Sequence, residues 1–211
     1  MSEKTIFVGV PLHNGTIHRN CVAGMMQTQS RFRDRCAFET FVGSILPRNR
    51  DILTAKFLDS PASHMLCVDS DIGFTASDVD ALLSADVDFV TGCYAKKQPD
   101  REIPAKLNGK VKDGLLGAEW APAGFMLLSR ECVERMVGAY RKLEYATQFG
   151  RAWGLWSPPF GPGQPYVGED VAFCNKWTDI GGSIWVHPGV ILSHFGDYCY
   201  TPDSASMKFQ S

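Results

Sequence analysis

The stretch HMLCVDSDIGFT, residues 64–75, joins a short apolar run to two aspartates one residue apart and then turns at Gly73. A brief apolar run bounded by a turn reads as a strand buried on both faces. Directly after it, TASDVDALLSA sets Thr75 three residues before Asp78, an acidic relative of the capping box, so a helix follows the aspartates at once. Strand, acids and helix in that order put Asp69 and Asp71 at the carboxyl end of a strand, where open α/β sheets take their ligands.

Upstream, TIFVGVPL (5–12) is a β-branched run closed by Pro11 and a polar HNG turn. Helical spacing runs from Thr16 to about Gln27, CAFETFVG (36–43) reads as a second strand, and PRNRDILTAKFLDSP (47–61) as a helix bracketed by two prolines. Downstream, VDFVTGCY (87–94) supplies another strand. This alternation predicts a doubly wound α/β front half with a mainly parallel sheet. The back half predicts β-like pieces in IPAKLNG, GLLGAEW and GFMLLSR, then a long helix from about Ser129 to Gln148. GRAWGLWSPPFGPGQPY (150–166) reads as neither helix nor strand but as a long loop able to close over a ligand. A helix over GEDVAFCNKWTDIGG and strand-like segments in SIWVHPGVILSHFG complete the pattern.

The chain has 211 residues, 45% of them hydrophobic, enough for one sizeable core, and one domain over 1–211 is expected. Lys and Arg number 21 against 23 Asp and Glu, so the net charge of −2 gives no global reason to expect a nucleic acid or a membrane surface as partner. The seven cysteines never form a CxxC pair and mostly sit in apolar runs, so structural zinc is not expected and a reducing, cytoplasmic setting is. No run of 18 apolar residues predicts a membrane span, and MSEKTIFVGV lacks the pattern of a signal peptide.

Two carboxylates in a turn can both approach a divalent cation, which needs hard oxygen ligands and often shares phosphate oxygens. The competing reading makes them helix caps, although Thr75 and Asp78 already serve that start. CVDSDI resembles the Asp-x-Asp motif of GT-A fold glycosyltransferases, which transfer a sugar from a nucleotide-sugar, usually with manganese or magnesium. Other segments resemble that family too: VGVPLHNG its first strand and nucleotide-binding turn, PAGFMLLSRE its acceptor-side segment, GEDVAFCNKW its Glu-Asp pair opening a late helix, and SHFG its C-terminal metal-binding histidine. The resemblance spans about residues 5 to 197 and extends to compact glycosyltransferase domains of large algal viruses and to fungal mannosyltransferases.

The resemblance implies a GT-A (nucleotide-diphospho-sugar transferase) fold: a single Rossmann-like mixed sheet flanked by helices. Residues 1–100 would bind the nucleotide, and 101–211 would serve the acceptor and complete the metal site. It implies a UDP-sugar as the expected donor, a glycan, glycoprotein or other hydroxyl acceptor, and, for a viral chain, the host cytoplasm. Asp71 and His194 would ligate the metal, with Asp69 holding the ribose or reaching the metal through water; His187 is the weaker histidine. Asp170 or Glu169 would act as catalytic base or orient the sugar, although either acid also suits a helix N-terminus. Pro11, His13, Asn14, Arg50, Ser70, Lys96, Ala123 and Gly124 would complete the donor side, where Ala123 and Gly124 are equally explained by packing. Arg48 and Lys97 are further candidates for the donor, and Trp153, Trp156 and Phe160 either stack on a ring or pin the loop. The rival readings are a haloacid-dehalogenase-like phosphatase, a sugar nucleotidyltransferase, and a non-catalytic sugar-nucleotide-binding domain.

Overall fold

The computed structural model describes residues 3–163, 165–205 and 207–210. In chain order the elements are β1 (Ile6–Leu12), α1 (Arg19–Phe32), β2 (Cys36–Val42), α2 (Leu46–Asp59), β3 (His64–Val68), β4 (Ile72–Gly73), α3 (Ala76–Ser84), β5 (Phe89–Cys93), β6 (Lys106–Lys112), β7 (Leu115–Trp120), β8 (Phe125–Ser129), α4 (Arg130–Ala139), β9 (Glu144–Thr147), β10 (Gly150–Trp153), α5 (Glu169–Asp179), β11 (Ile184–Ile191), β12 (Ser193–Phe195) and β13 (Cys199–Tyr200).

Eight strands form one sheet in the order β2-β1-β3-β8-β5-β11-β7-β6. The pairs β1/β2, β1/β3 and β5/β11 are parallel. The pairs β3/β8, β5/β8, β7/β11 and β6/β7 are antiparallel. The sheet is therefore mixed rather than mainly parallel. Its front-half strands are split by β8, which returns from the back half and pairs with both β3 and β5. Because β8 runs antiparallel, its amino end, just after Ala123 and Gly124, reaches the edge where β1, β3 and β5 end.

Alternation along each strand feeds two cores. Phe7, Met65, Cys67, Phe89, Met126 and Leu128 face one side, packed with residues of α2, α4 and α5. Ile6, Val8, Leu66, Val68, Val90 and Leu127 face the other, packed with residues of α1 and α3. Thr75 and Asp78 form the expected capping box on α3.

The predicted helix to Gln148 stops at Ala139. Its apolar stripe ends at Tyr140, whose hydroxyl donates to the Lys176 carbonyl (3.0 Å), and a 3-10 turn at Arg141–Leu143 redirects the chain into the β9/β10 hairpin. Strand β10 also takes Gly150–Trp153 out of the predicted loop, and Gly150 at φ 109° makes the turn possible. Six of the seven cysteines are buried free thiols, as their apolar surroundings predict, and Cys199 is exposed. Among the described residues no helix is long and apolar enough to cross a membrane.

Candidate active site

The ends of β1, β3 and β5, the start of β8, the segment after β11 and the first turn of α5 meet at one edge of the sheet. Backbone bonds fix the turn after β3: Asp69 N–H donates to the Gly124 carbonyl (2.9 Å) and Ile72 N–H to the Asp69 carbonyl (3.0 Å). Phe195 N–H donates to the Asp71 carbonyl (2.8 Å), and β12 pairs with β4, which draws His194 to the aspartates. Two adjoining clefts, about 280 and 500 Å³, share His13, Ser70 and Asp71 in their walls. Concave sites of this size suit a small ligand.

Asp69 and Asp71 face different partners. Arg50, from the first turns of α2, donates from Nη2 to Asp69 Oδ1 (2.6 Å) and places Nε 3.5 Å from Glu169 Oε1. Its side chain is only 3% exposed and packs over the Trp156 ring with the guanidinium carbon 5.2 Å from the ring centroid. Burial opposes its charge, but Asp69 and Glu169 more than offset this and hold the guanidinium charged.

Asp71 looks the other way. Lys97 donates from Nζ to Oδ2 (2.6 Å), and His194 Nε2 lies 3.5 Å from Oδ1. His194 Nδ1 lies 2.9 Å from the Ala95 carbonyl oxygen, which can only accept, so Nδ1 carries a proton and Nε2 is presented to Asp71. Burial would raise the Asp71 carboxyl, yet His194 and then Lys97 bring it down to about 2.

The predicted metal set thus divides. Asp71 and His194 come together, whereas Asp69 is held by Arg50, and among the described residues no three His, Cys, Asp or Glu side chains gather as a metal-holding group. The Asp71–His194 pair fits a divalent cation on chemical grounds. It offers a carboxylate oxygen beside an imidazole nitrogen whose tautomer is fixed from behind by a carbonyl, as metal-ligating histidines commonly are.

Glu169 and Asp170 open α5 beside Arg50, but only Glu169 has an ion-pair contact with it. Asp170 Oδ1 accepts from Val171 N–H (2.8 Å), and burial, then the Glu169 carboxylate, push Asp170 up. Gly168 matters here, since a Cβ on it would lie 2.8 Å from Asp170 Oδ1.

Other predicted residues spread around this edge. Pro11 and His13 line the smaller cleft, and Asn14 lines the larger one while its Oδ1 accepts from Thr16. Ser70 lies between them. Ala123 is part of a core, and Gly124 is required by its neighbours: a Cβ there would lie 2.5 Å from Tyr94 Oη and 3.0 Å from Asp69 Oδ2. Lys96 pairs with Glu102 (2.5 Å); the next lysine, Lys97, is the one that reaches Asp71. Trp156 is fully buried, stacked on Phe173 and donating from Nε1 to Thr54, while Phe160 is 89% exposed.

Tyr94 and Asp51 carry no signal in the sequence reading. Tyr94 Oη accepts from Gly124 N–H (2.9 Å) behind Asp69. Asp51 lies buried beneath Arg50, accepting from Trp156 N–H (3.0 Å) and the Tyr145 hydroxyl (3.1 Å), and burial raises it to about 7 despite those bonds. Only the contact of the back-half loop with α2 reveals it.

No family model matches the chain, and no curated protein matches it. Among solved structures, A197 from STIV is similar over 98% of this chain and 95% of its own, with 16% identity and a TM-score of 0.61, a likeness of fold. A glycosyltransferase involved in the glycosylation of the major capsid of PBCV-1 aligns over 65% of this chain and 66% of its own (11% identity, TM-score 0.36). A nucleoside-diphosphate-sugar pyrophosphorylase from Vibrio cholerae RC9 aligns over 87% and 72% (10% identity, TM-score 0.43). Overlaps this low carry no argument about this chain.

Proposed function

We propose that this protein is a metal-dependent glycosyltransferase of the GT-A type, moving a sugar from a nucleotide-sugar, a UDP-sugar, to a hydroxyl of a glycan or other acceptor. The observation that carries this reading is the Asp71–His194 pair, 3.5 Å apart, set in the wall of the smaller cleft at the carboxyl edge of the sheet, with Asp71 also lining the larger one. Asp71 and His194 would hold manganese or magnesium, which when bound neutralises charge developing on a diphosphate leaving group.

The rest of the reading concerns this chain's own groups. Pro11 near the end of β1 and His13 and Asn14 just after it border the space for the nucleoside, and Ser70 and Asp69 face the ribose. Arg50 fixes Asp69 and Glu169 in one rigid unit, so neither wanders when a diphosphate enters. With Glu169 committed to Arg50, Asp170 is the acid left for proton transfer. Its raised pKa suits a base that takes the acceptor hydroxyl proton as the oxygen bonds to the anomeric carbon and the nucleoside diphosphate departs.

Release of nucleotide from a panel of nucleotide-sugars, with manganese and with chelator, tests this. Turnover of one donor that disappears on chelation and in Asp71→Asn supports the reading and names the sugar. Silence across the panel combined with phosphate release from phosphomonoesters overturns it in favour of a phosphatase.

A further inference from the structure

Among the described residues, Asp69, Glu169 and Asp71 at this edge each already have a cation from the chain, and Asp170 has no ion pair. For Asp69 and Glu169 it is the buried Arg50, which has no room to leave. For Asp71 it is Lys97, a different kind of partner: the lysine and aspartate side chains are 38% and 36% exposed, and the ammonium sits on Oδ2 at 2.6 Å. The Lys97 stem lies across Gly196 in the β12/β13 turn, where a Cβ would stand 3.1 Å from Lys97 Cδ. Gly196 thus provides the groove that lets Lys97 reach Asp71.

A cation held by Asp71 and His194 and an ammonium on the other oxygen of the same carboxylate would be like charges a few ångströms apart, which repel. Resting on the metal reading above, we infer that Lys97 is an exchangeable counter-cation: it neutralises Asp71 in the metal-free protein, gives way when the divalent cation binds, and then meets the donor's diphosphate. The incoming diphosphate is the new anion at this edge, and a four-carbon stem anchored beside Asp71 lets the ammonium stay within its reach. Lys97 is in this account a positioning residue that couples the two ligands, so diphosphate and cation each strengthen the other's binding by the same factor.

Manganese binding, followed by its electron paramagnetic resonance signal with and without UDP, reads this directly without turnover. Lys97→Met should tighten manganese binding alone by about fivefold, the equivalent of one partly exposed ion pair, and should shrink the strengthening that UDP gives. Lys97→Arg keeps the charge and should stay near wild type. Gly196→Ala crowds the stem and pushes the ammonium off Asp71 without removing its charge, and should shift manganese affinity in the same direction as Lys97→Met by a smaller amount.

Manganese that binds the wild type, is lost in Asp71→Asn, yet is unchanged or weakened in Lys97→Met would overturn the exchange and leave the metal reading standing. Manganese that ignores Asp71→Asn, or fails to bind at all, would overturn both.

Discussion

Two charged clusters sit side by side at the edge of the sheet, and they solve opposite problems. Around Arg50 the charges are buried, closed by Trp156 and arranged before any ligand arrives. Around Asp71 they are half-exposed and border open clefts. Burying a cation is tolerable only with its anions in place, so the first cluster must be rigid. Surface pairs cost little to open, so the second can exchange partners. Placed together, the rigid cluster holds Asp69 and Glu169 in register while the half-exposed one borders the clefts.

That contrast can be broken first at its lid. Trp156→Ala removes the ring between Arg50 and Phe173 and should destabilise the fold by about 4 kcal/mol, the usual cost of deleting a buried aromatic; urea unfolding would measure it, and a loss under about 1 kcal/mol would mean the cluster does not need its cover. Arg50→Met leaves Asp69 and Glu169 without their shared cation and should cost about 3 kcal/mol. A variant as stable as wild type would show that these acids do not depend on it.

Overpacking tests the seam between the clusters. Gly124→Ala pushes a methyl group into Tyr94 Oη and should cost about 1 to 3 kcal/mol by thermal unfolding. At the open cluster the expectation reverses, for Asp71→Asn should change stability by less than about 1 kcal/mol while abolishing manganese binding. A large stability loss there would make Asp71 a structural acid instead.

Acidity separates the regions as well. Asp51 is raised to about 7 in the folded protein, so the native state keeps its proton where the unfolded chain has lost it. Its contribution therefore favours folding below about pH 4 and fades as pH rises to about 7. Asp71, lowered to about 2, works oppositely: its contribution is present above its usual value of 3.8 and is lost as pH falls to about 2. Followed by unfolding from pH 4 to 8, the stability of the wild type relative to Asp51→Asn should fall as pH rises to about 7, whatever opposite slope the burial-lowered His64 adds to both; a difference that does not change with pH would dismiss the buried acid.

Much of the front half is legible because its periodicities are strong. Strand β3, the turn and the capped α3 follow from HMLCVDSDIGFT and the ASDVDALLSA that continues it, and the acids fall at a strand end as read. The back half is harder: apolar spacing after Ser129 suits a helix until Tyr140, and the residues beyond it pair as a hairpin only because α2 offers a surface to pack on. Lys96 and Lys97 are indistinguishable in sequence, whereas in the fold one meets Glu102 and the other Asp71. Trp156, read as a sugar-stacking candidate or a pin, lies in the core.

The sequence by itself determined the local order: a buried strand ending in two acids, a helix capped by Thr75 and Asp78, and a Glu-Asp pair beginning another helix. Those features depend on neighbours within a few residues, and short-range hydrogen bonding and side-chain period enforce them. Tertiary structure alone decided that β8 splits the front-half strands, that Arg50 in α2 gathers Asp69 and Glu169, acids 100 residues apart, and that Lys97 and His194 share Asp71. Such contacts are selected by packing across the whole sheet, where burial makes an unpaired charge too costly to leave alone.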